Sequence, residues 1–314
     1  MEKRKIGSLQ VPPLAFGGNV FGWTVDKKAS YRLLDGLTDA GLNFIDTADV
    51  YSTWVRGNSG GESETIIGKW LNSNGKRNQV VIATKVGSIM SESKKGLSGK
   101  YIIRAVEDSL KRLQTDYIDL YQSHKDDQPT PMEETLEAYD QLIKQGKVKV
   151  IGASNFTADR LAKALEISKQ HGYAAYQCLQ PEYNLIDRAD FEENLESLCL
   201  EKGISVISYY SLASGFLSGK YRSEADFNKS PRGGGMKKYL NERGFRILKA
   251  LDDVSEKYNA TPTQVSLAWL MARPSITAPI VSATTIDQLQ DLIKAVDLKL
   301  DTQSIELLTA ASAY

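Results

Sequence analysis

Short, nearly continuous apolar runs recur along the chain, and most of them close on polar residues. Eight stand out: PPLAFGG (12–18), NFIDTA (43–48), QVVIATKVG (79–87), YIDLYQSH (117–124), VKVIGASN (148–155), YQCLQPEY (176–183), ISVISYYS (204–211) and ITAPIVSA (276–283). Runs of this length fit strands buried on both faces, as in a parallel sheet. Between them lie segments with apolar residues three and four apart, the spacing of amphipathic helices. These are SETIIGKWL (63–71), YIIRAVEDSLKRL (101–113), PMEETLEAYDQLIKQG (131–146), ADRLAKALEISKQHG (158–172), FEENLESLCLEKG (191–203) and TPTQVSLAWLMARP (261–274). In the last of them Thr261 is placed to cap the helix, with Pro262 at its first position. The alternation predicts an α/β chain closed into a single (β/α)8 TIM barrel over residues 1–314, with no linker dividing it. Two segments fall outside the repeat. Residues 213–243, containing SPRGGGMKKY, predict a long loop after strand 7, of the kind that forms lids or stays disordered. The tail DTQSIELLTAASAY (301–314) predicts one extra helix.

Composition narrows the class without naming it. The 314 residues carry 39 Lys and Arg against 39 Asp and Glu, a net charge of zero. No broad field therefore favours nucleic acid or an anionic membrane. No apolar run approaches the roughly 18 residues of a spanning helix. The start, MEKRKIGSLQ, has charges without an apolar stretch behind them, so a cytoplasmic protein is expected rather than a secreted one. Cys178 and Cys199, the only two cysteines, sit among apolar residues and read as reduced core positions. With two histidines in the chain, no metal site is expected.

In such a barrel the reactive groups lie at the C-terminal ends of the strands. Strand 2 ends in Asp46 with Tyr51 just beyond, and strand 3 carries Lys85. Strand 4 ends in His124, strand 5 in Ser154 and Asn155, strand 6 has Gln180 and strand 7 ends in Tyr210 and Ser211. Each has an ordinary explanation alone: a loop cap, a surface lysine, a core histidine, a packing aromatic. Asp49 reads as a turn residue. Together they form a charged cluster at one mouth, which costs stability unless it is used.

The segments DTADVYS (46–52), SETIIGKWL, IATKVG (82–87), YIDLYQSHKDD (117–127), IGASNF (151–156), QPEYNLIDR (180–188) and YYSLASGFLSGKY (209–221) resemble, in order, the signatures of the aldo-keto reductase family. The likeness is nearest to its longer bacterial members, the relatives of aryl-alcohol dehydrogenases and potassium-channel β subunits. It implies a barrel that binds a nicotinamide cofactor without a Rossmann unit, and the chain has no strand–GxGxxG–helix segment.

The resemblance places the catalytic tetrad on Asp46, Tyr51, Lys85 and His124. A phenol holds its proton at neutral pH, with a free pKa near ~10. It serves as an acid once its developing anion is stabilised, and a nearby lysine is expected to lower its pKa. Asp46 would keep Lys85 charged and aimed, and His124 would orient the carbonyl oxygen. For the cofactor, the resemblance implies Gly18 and Asn19 (with Gly17) and Asp46 beneath the nicotinamide. Ser154, Asn155 and Gln180 would hold its carboxamide, with Tyr210 stacked on its ring. Ser211, Leu212, Ser214, Gly215 and Lys220 would follow the pyrophosphate.

Beyond strand 8, Ser282, Thr284 and Gln288 are left for the adenosine end. Thr284 stands where the family commonly has an arginine for the 2′-phosphate, and Leu292 where it commonly has an asparagine. NADP(H) is expected as cofactor, with Arg232, Lys237 or Lys238 supplying the missing charge; NAD(H) is the alternative. Trp23 and Trp54, with Phe21 and His124, are candidates for an aromatic wall around a small-molecule carbonyl substrate, such as a sugar or an aromatic aldehyde. Arg56 would meet an anionic group or solvent. The expected activity is NAD(P)H-dependent reduction of an aldehyde or ketone. A slow-turnover nucleotide sensor and a Schiff-base aldolase on Lys85 are the competing readings. The oligomeric state is open.

Overall fold

A computed structural model describes residues 1–314. Each of the eight apolar runs contains one strand of a single parallel sheet: β3 (Ala15–Gly17), β4 (Phe44–Asp46), β5 (Val81–Val86), β6 (Ile118–Ser123), β7 (Val148–Ser154), β8 (Cys178–Gln180), β9 (Ser205–Val206) and β10 (Ile280–Val281). The order is β10-β3-β4-β5-β6-β7-β8-β9. A parallel bridge joins Val206 to Ile276, and the Ile280 amide donates to the Ser208 carbonyl at 2.8 Å. These contacts join the β9 run to the β10 run, the two ends of that order, and close the (β/α)8 barrel.

The barrel interior is built in layers, because alternate residues of a strand share a face. Ala15, Phe44, Ala83, Leu120, Val150 and Cys178, one from each of six strands, belong to a buried apolar cluster that includes Ile207, Ala278 and Ile280. Two further strands, β1 (Arg4–Ile6) and β2 (Leu9–Val11), pair as an antiparallel hairpin, and Ile6, Leu9 and Val11 complete that cluster. The hairpin plugs the bottom of the barrel. It lay outside the sequence expectations because each strand is only three residues long. Cys178 and Cys199 are both buried and free, in keeping with their reading as core positions.

Helices cover the outside. The predicted ones are α2 (Glu62–Asn74), α3 (Gly99–Leu113), α4 (Met132–Lys144), α5 (Ala158–His171), α6 (Glu196–Lys202, preceded by a π turn over Phe191–Leu195) and α8 (Pro262–Ala272). α3 buries Tyr101, Ile102, Ala105, Val106, Ser109, Leu110 and Leu113, one continuous stripe. Thr261 caps α8 as expected, accepting from the Gln264 amide. Three more helices, α1 (Lys27–Asp39), α7 (Glu242–Tyr258) and α9 (Ile286–Asp297), complete the ring, and the tail forms α10 (Thr302–Ala311) against α7 and α8. The long loop after β9 folds largely into 3-10 turns, at Ala213–Ser218 (kinked at the left-handed Ser214 and Gly215), Glu224–Lys229 and Gly233–Tyr239, and walls one side of the barrel mouth. No helix is long and apolar enough to cross a membrane.

Candidate active site

Two residues above the apolar layer, the same inward-facing positions turn polar. Phe44 gives way to Asp46, Ala83 to Lys85, Leu120 to Gln122 and Cys178 to Gln180, all buried. Gly152 holds the corresponding place on β7, where an added Cβ would sit 3.1 Å from Gln122 Cγ and from the Cys178 carbonyl oxygen. The layer is one hydrogen-bonded network. Asp46 Oδ1 accepts from Gln180 Nε2 at 3.0 Å and from Gln122 Nε2 at 3.4 Å, and Gln180 Nε2 also reaches Gln122 Oε1 at 3.2 Å. Asp46 Oδ2 accepts from Lys85 Nζ at 2.7 Å. A carboxylate and an ammonium can be buried this deeply only because their remaining capacity is filled. Gln122 was not among the sequence candidates. Its signal was the period-two step from Leu120 on a strand whose apolar residues hid it.

Tyr51 comes back over this layer from the loop after β4. That loop is pinned at several points. Thr47 Oγ1 donates to Ser63 Oγ at 2.8 Å, Ser63 donates to the Gly18 carbonyl at 2.7 Å, and Ser52, at φ +74°, donates to the Phe21 carbonyl at 2.8 Å. The result sets the Tyr51 hydroxyl 2.8 Å from Lys85 Nζ and 3.4 Å from Asp46 Oδ2. Lys85 also donates to the Thr47 carbonyl at 2.8 Å, which spends all three of its protons. The His124 ring packs edge-on against Tyr51, with centroids 6.0 Å apart. Asp46, Tyr51, Lys85 and His124 are thus one contiguous cluster.

Burial works against the Lys85 ammonium, but Asp46 and Tyr51 hold its pKa above the ordinary value. Burial pushes the Tyr51 phenol up to about 12, against the lowering pull of Lys85 and with a smaller upward push from Asp46. The expectation of a lowered phenol pKa is therefore corrected: Lys85 acts in that direction, and desolvation outweighs it. His124 is driven well below its usual value by burial and by the charges of Lys85 and Lys125, so its imidazole is neutral at neutral pH.

Asp49 is more than a surface turn residue. It stands in the turn, yet only 2% of it is exposed, and neither carboxyl oxygen has a hydrogen-bond partner. Burial and the nearby Glu64 carboxylate raise its pKa to about 8, overcoming Arg112. Glu64 itself is taken by Arg112 at 2.6 Å and Thr84 at 2.6 Å.

The cluster opens into a cleft of about 1500 Å³ that runs along the barrel mouth to the start of α9. Asn19, Ser154, Asn155, Gln180, Tyr210, Ser211, Leu212, Ser214, Gly215, Lys220, Ser282, Thr284 and Gln288 all line it, with Trp23 and Trp54 at the near end. Gly18 does not; Gly17 lines the cleft in its place, against Ser282 Oγ. Phe21 is fully buried on Phe16 and leaves the aromatic wall to Trp23 and Trp54, which meet edge to face at 5.7 Å. Arg56 is exposed and away from the cleft. The hydroxyls of Ser211 and Ser282 are spent on the barrel, on the Ile280 and Gly17 carbonyls. Lys125, Tyr209 and Asp291 line the cleft without having been foreseen. Tyr209 donates to Asn155 Oδ1 at 2.7 Å, an orienting contact that its place beside Tyr210 could have suggested.

The backbone around the cleft is held in unusual conformations. Asn155, Tyr210, Ala213 and Ser214 all have φ between +46° and +56°, a region non-glycine residues seldom occupy. Such strain gathers at ligand sites. It presents Tyr210 half exposed to the cleft, a free aromatic face. Gln180 Oε1, an unspent amide oxygen above the polar layer, the Tyr210 ring and Lys220 near Gly215 together fit a long ligand with a planar polar head and an anionic middle.

The barrel, its polar central layer and the cleft fit the aldo-keto reductase type. Comparison with known proteins agrees: a sequence model described as the Aldo/keto reductase family matches residues 13–313. The uncharacterized oxidoreductase YrpG of Bacillus subtilis is 36% identical over 308 residues, covering 96% of this chain and 92% of that protein. A probable voltage-gated potassium channel subunit β of Arabidopsis thaliana is 32% identical over 308 residues, with 95% and 92% covered. An aryl-alcohol dehydrogenase (NADP(+)) of Phanerodontia chrysosporium is 30% identical over 328 residues, with 96% and 82% covered. The chain belongs to the Aldo/keto reductase family, whose members use nicotinamide cofactors on small carbonyl substrates.

Proposed function

We propose that this chain reduces an aldehyde or ketone to the alcohol, with Tyr51 as proton donor and a nicotinamide dinucleotide in the cleft. The observation that carries the reading is the position of Lys85, bonded at once to Asp46 and to the Tyr51 hydroxyl. The bound dinucleotide supplies the hydride. Tyr51 gives its proton to the carbonyl oxygen, and Lys85 stabilises the phenolate as it forms. The high resting pKa of Tyr51 keeps that proton in place until negative charge develops on the substrate oxygen. Asp46, fixed by Gln122 and Gln180, holds Lys85 in its charged state and aimed at Tyr51. Neutral His124 borders the same space and orients the oxygen by a hydrogen bond.

Asn19, Asp46, Ser154, Asn155 and Gln180 would hold the nicotinamide end, with Tyr210 against its ring. Leu212, Ser214, Gly215 and Lys220 would follow the pyrophosphate, and Ser282, Thr284 and Gln288 the adenosine end. Trp23 and Trp54 supply an apolar wall suited to an aromatic aldehyde, the kind of substrate implied by the name of the aryl-alcohol dehydrogenase relative.

The test is turnover by the purified protein with reduced nicotinamide nucleotides and a panel of aromatic, aliphatic and sugar aldehydes. Nucleotide consumption matched by alcohol formation supports the reading. Tight nucleotide binding with no turnover on the whole panel would replace it with a sensor role, the reading that the potassium-channel relative brings.

A further inference from the structure

We propose that the cleft selects NAD(H) over NADP(H), and that Thr284 and Asp291 set this choice at its adenosine end. The inference rests on the reductase reading above. A dinucleotide with its nicotinamide at Tyr51 and its phosphates by Lys220 brings its adenosine to the far end of the cleft. That end is formed by Thr263 of α8 and by Thr284, Gln288, Asp291 and Leu292 around the start of α9.

What stands there is neutral or acidic. Gln288 Oε1 accepts from the Thr284 amide at 2.8 Å and from the Thr284 hydroxyl at 3.0 Å, a closed neutral pair. Asp291 accepts from Thr261 at 2.9 Å and from Gln264 at 2.6 Å, which fixes a carboxylate on the wall. Leu292 is buried and apolar. From Pro274 through Ile293 the chain has no lysine or arginine.

The cations that line the rest of the cleft are Lys125, next to His124 in the chain, Lys220, which the reading above gives to the pyrophosphate, and Lys229, Arg232 and Lys238, which have partners of their own. Arg232 lies over the Trp23 ring at 5.1 Å, toward the tetrad end. Lys229 pairs with Asp226 at 2.7 Å and also donates to the Lys220 carbonyl. Lys238 stands 4.5 Å over the Tyr239 ring. Lys237, which does not line the cleft, pairs with Glu224 at 3.1 Å. The sequence-based preference for NADP(H) drew on Arg232, Lys237 or Lys238, and each of these has a partner in the loop or at the tetrad end: Trp23, Glu224 and Tyr239.

A 2′-phosphate carries up to about two negative charges at neutral pH and is normally held by charge-assisted bonds from arginine or lysine. Here it would lose its water without gaining a cation and would face Asp291. A ribose 2′-hydroxyl meets neither cost, and hydroxyls are good partners for carboxylate and amide oxygens.

The experiment is an equilibrium titration of the whole protein with NADH and with NADPH, followed by quenching of tryptophan fluorescence, beside the same titrations of Thr284→Arg. NADH is expected to bind at least about tenfold more tightly than NADPH, a modest figure for one unpaired phosphate. Thr284→Arg is expected to move the ratio of the two dissociation constants toward NADPH by about tenfold or more. Equal affinities, or tighter NADPH, in the unmodified protein would overturn the inference and leave the reductase reading standing. Binding of neither nucleotide would overturn both. An unmoved ratio in the variant would remove Thr284 from the selection.

Discussion

Lys85 Nζ lies 2.7 Å from Asp46 Oδ2 and 2.8 Å from the Tyr51 hydroxyl, beneath the open end of the barrel. One ammonium thus serves two purposes. It neutralises a carboxylate that could not otherwise be buried, and it stands where a phenolate would form.

The first prediction concerns the phenol. Tyr51→Phe keeps the ring and its edge contact with His124 but removes the only hydroxyl bonded to Lys85. Carbonyl turnover should fall by about 10²–10⁴-fold, the range of a lost general acid. Nucleotide affinity should change far less, because the loss falls on the chemical step. Steady-state assays paired with binding titrations would check this, and full turnover in the variant would remove Tyr51 from the mechanism.

The second concerns the buried ion pair. Lys85→Met leaves the Asp46 carboxyl group against Gln122 and Gln180 with no cation, at a site only 1% exposed. Removing one partner of such a pair costs about 3–5 kcal/mol. Asp46→Asn with Lys85→Met should recover much of that loss, because the leftover charge goes too. Urea unfolding of the single and double variants would measure it. Equal destabilisation in both would mean that packing, rather than charge, dominates.

The third is a pH dependence. Asp49 keeps its proton up to about pH 8 in the folded protein. In the unfolded chain an aspartate gives its proton up near pH ~4. Between these values the folded state binds more protons, so stability falls as pH rises, with the full loss reached above pH ~8. Asp49→Asn has no such proton to lose. The stability of the wild type relative to this variant should decline on the order of a few kcal/mol between pH 5 and pH 9. Parallel stability curves from urea unfolding across that range would show that Asp49 does not titrate as its burial requires.

Much of this was legible because barrel strands state their own register. Phe44 followed two residues later by Asp46, and Ala83 followed by Lys85, mark where the apolar interior ends and the polar layer begins. Gln122 and Asp49 were harder. Gln122 is neutral and sits where Tyr121 and Ser123 make a mixed strand end look ordinary. Asp49 lies in a turn, where aspartate needs no special account, and only packing against α2 and α3 makes it costly. The hairpin β1–β2 and helices α1, α7 and α9 were missed for local reasons. The hairpin strands are too short to show a period. α1 carries Gly36 near its C-terminal end, and α7 follows the glycine-rich turn Gly233–Tyr239. The aromatic wall was legible at Trp23 and Trp54 but not at Phe21, because nothing in the sequence separates a buried loop phenylalanine from an exposed one.

The fourth prediction compares two helical glycines. A Cβ on Gly68 of α2 would lie 2.1 Å from the Arg112 carbonyl oxygen and 2.6 Å from the Leu113 carbonyl carbon. Those are backbone atoms at the end of α3, and they cannot turn aside. A Cβ on Gly36 of α1 would meet only Leu289 Cδ2, at 3.0 Å, the far end of a flexible side chain. Alanine gains about 1 kcal/mol over glycine in a helix interior. Gly36→Ala should therefore be neutral or mildly stabilising. Gly68→Ala should lose about 1–3 kcal/mol or more despite the same intrinsic gain. It should also reduce turnover, because α2 carries Ser63, bonded to Thr47 and Gly18, and Glu64, bonded to Thr84 and Arg112. Pushing α2 off α3 loosens the loop that delivers Tyr51. Urea unfolding and a turnover assay on both variants would decide it: equal stability for the two would mean that α2 and α3 do not meet backbone to backbone.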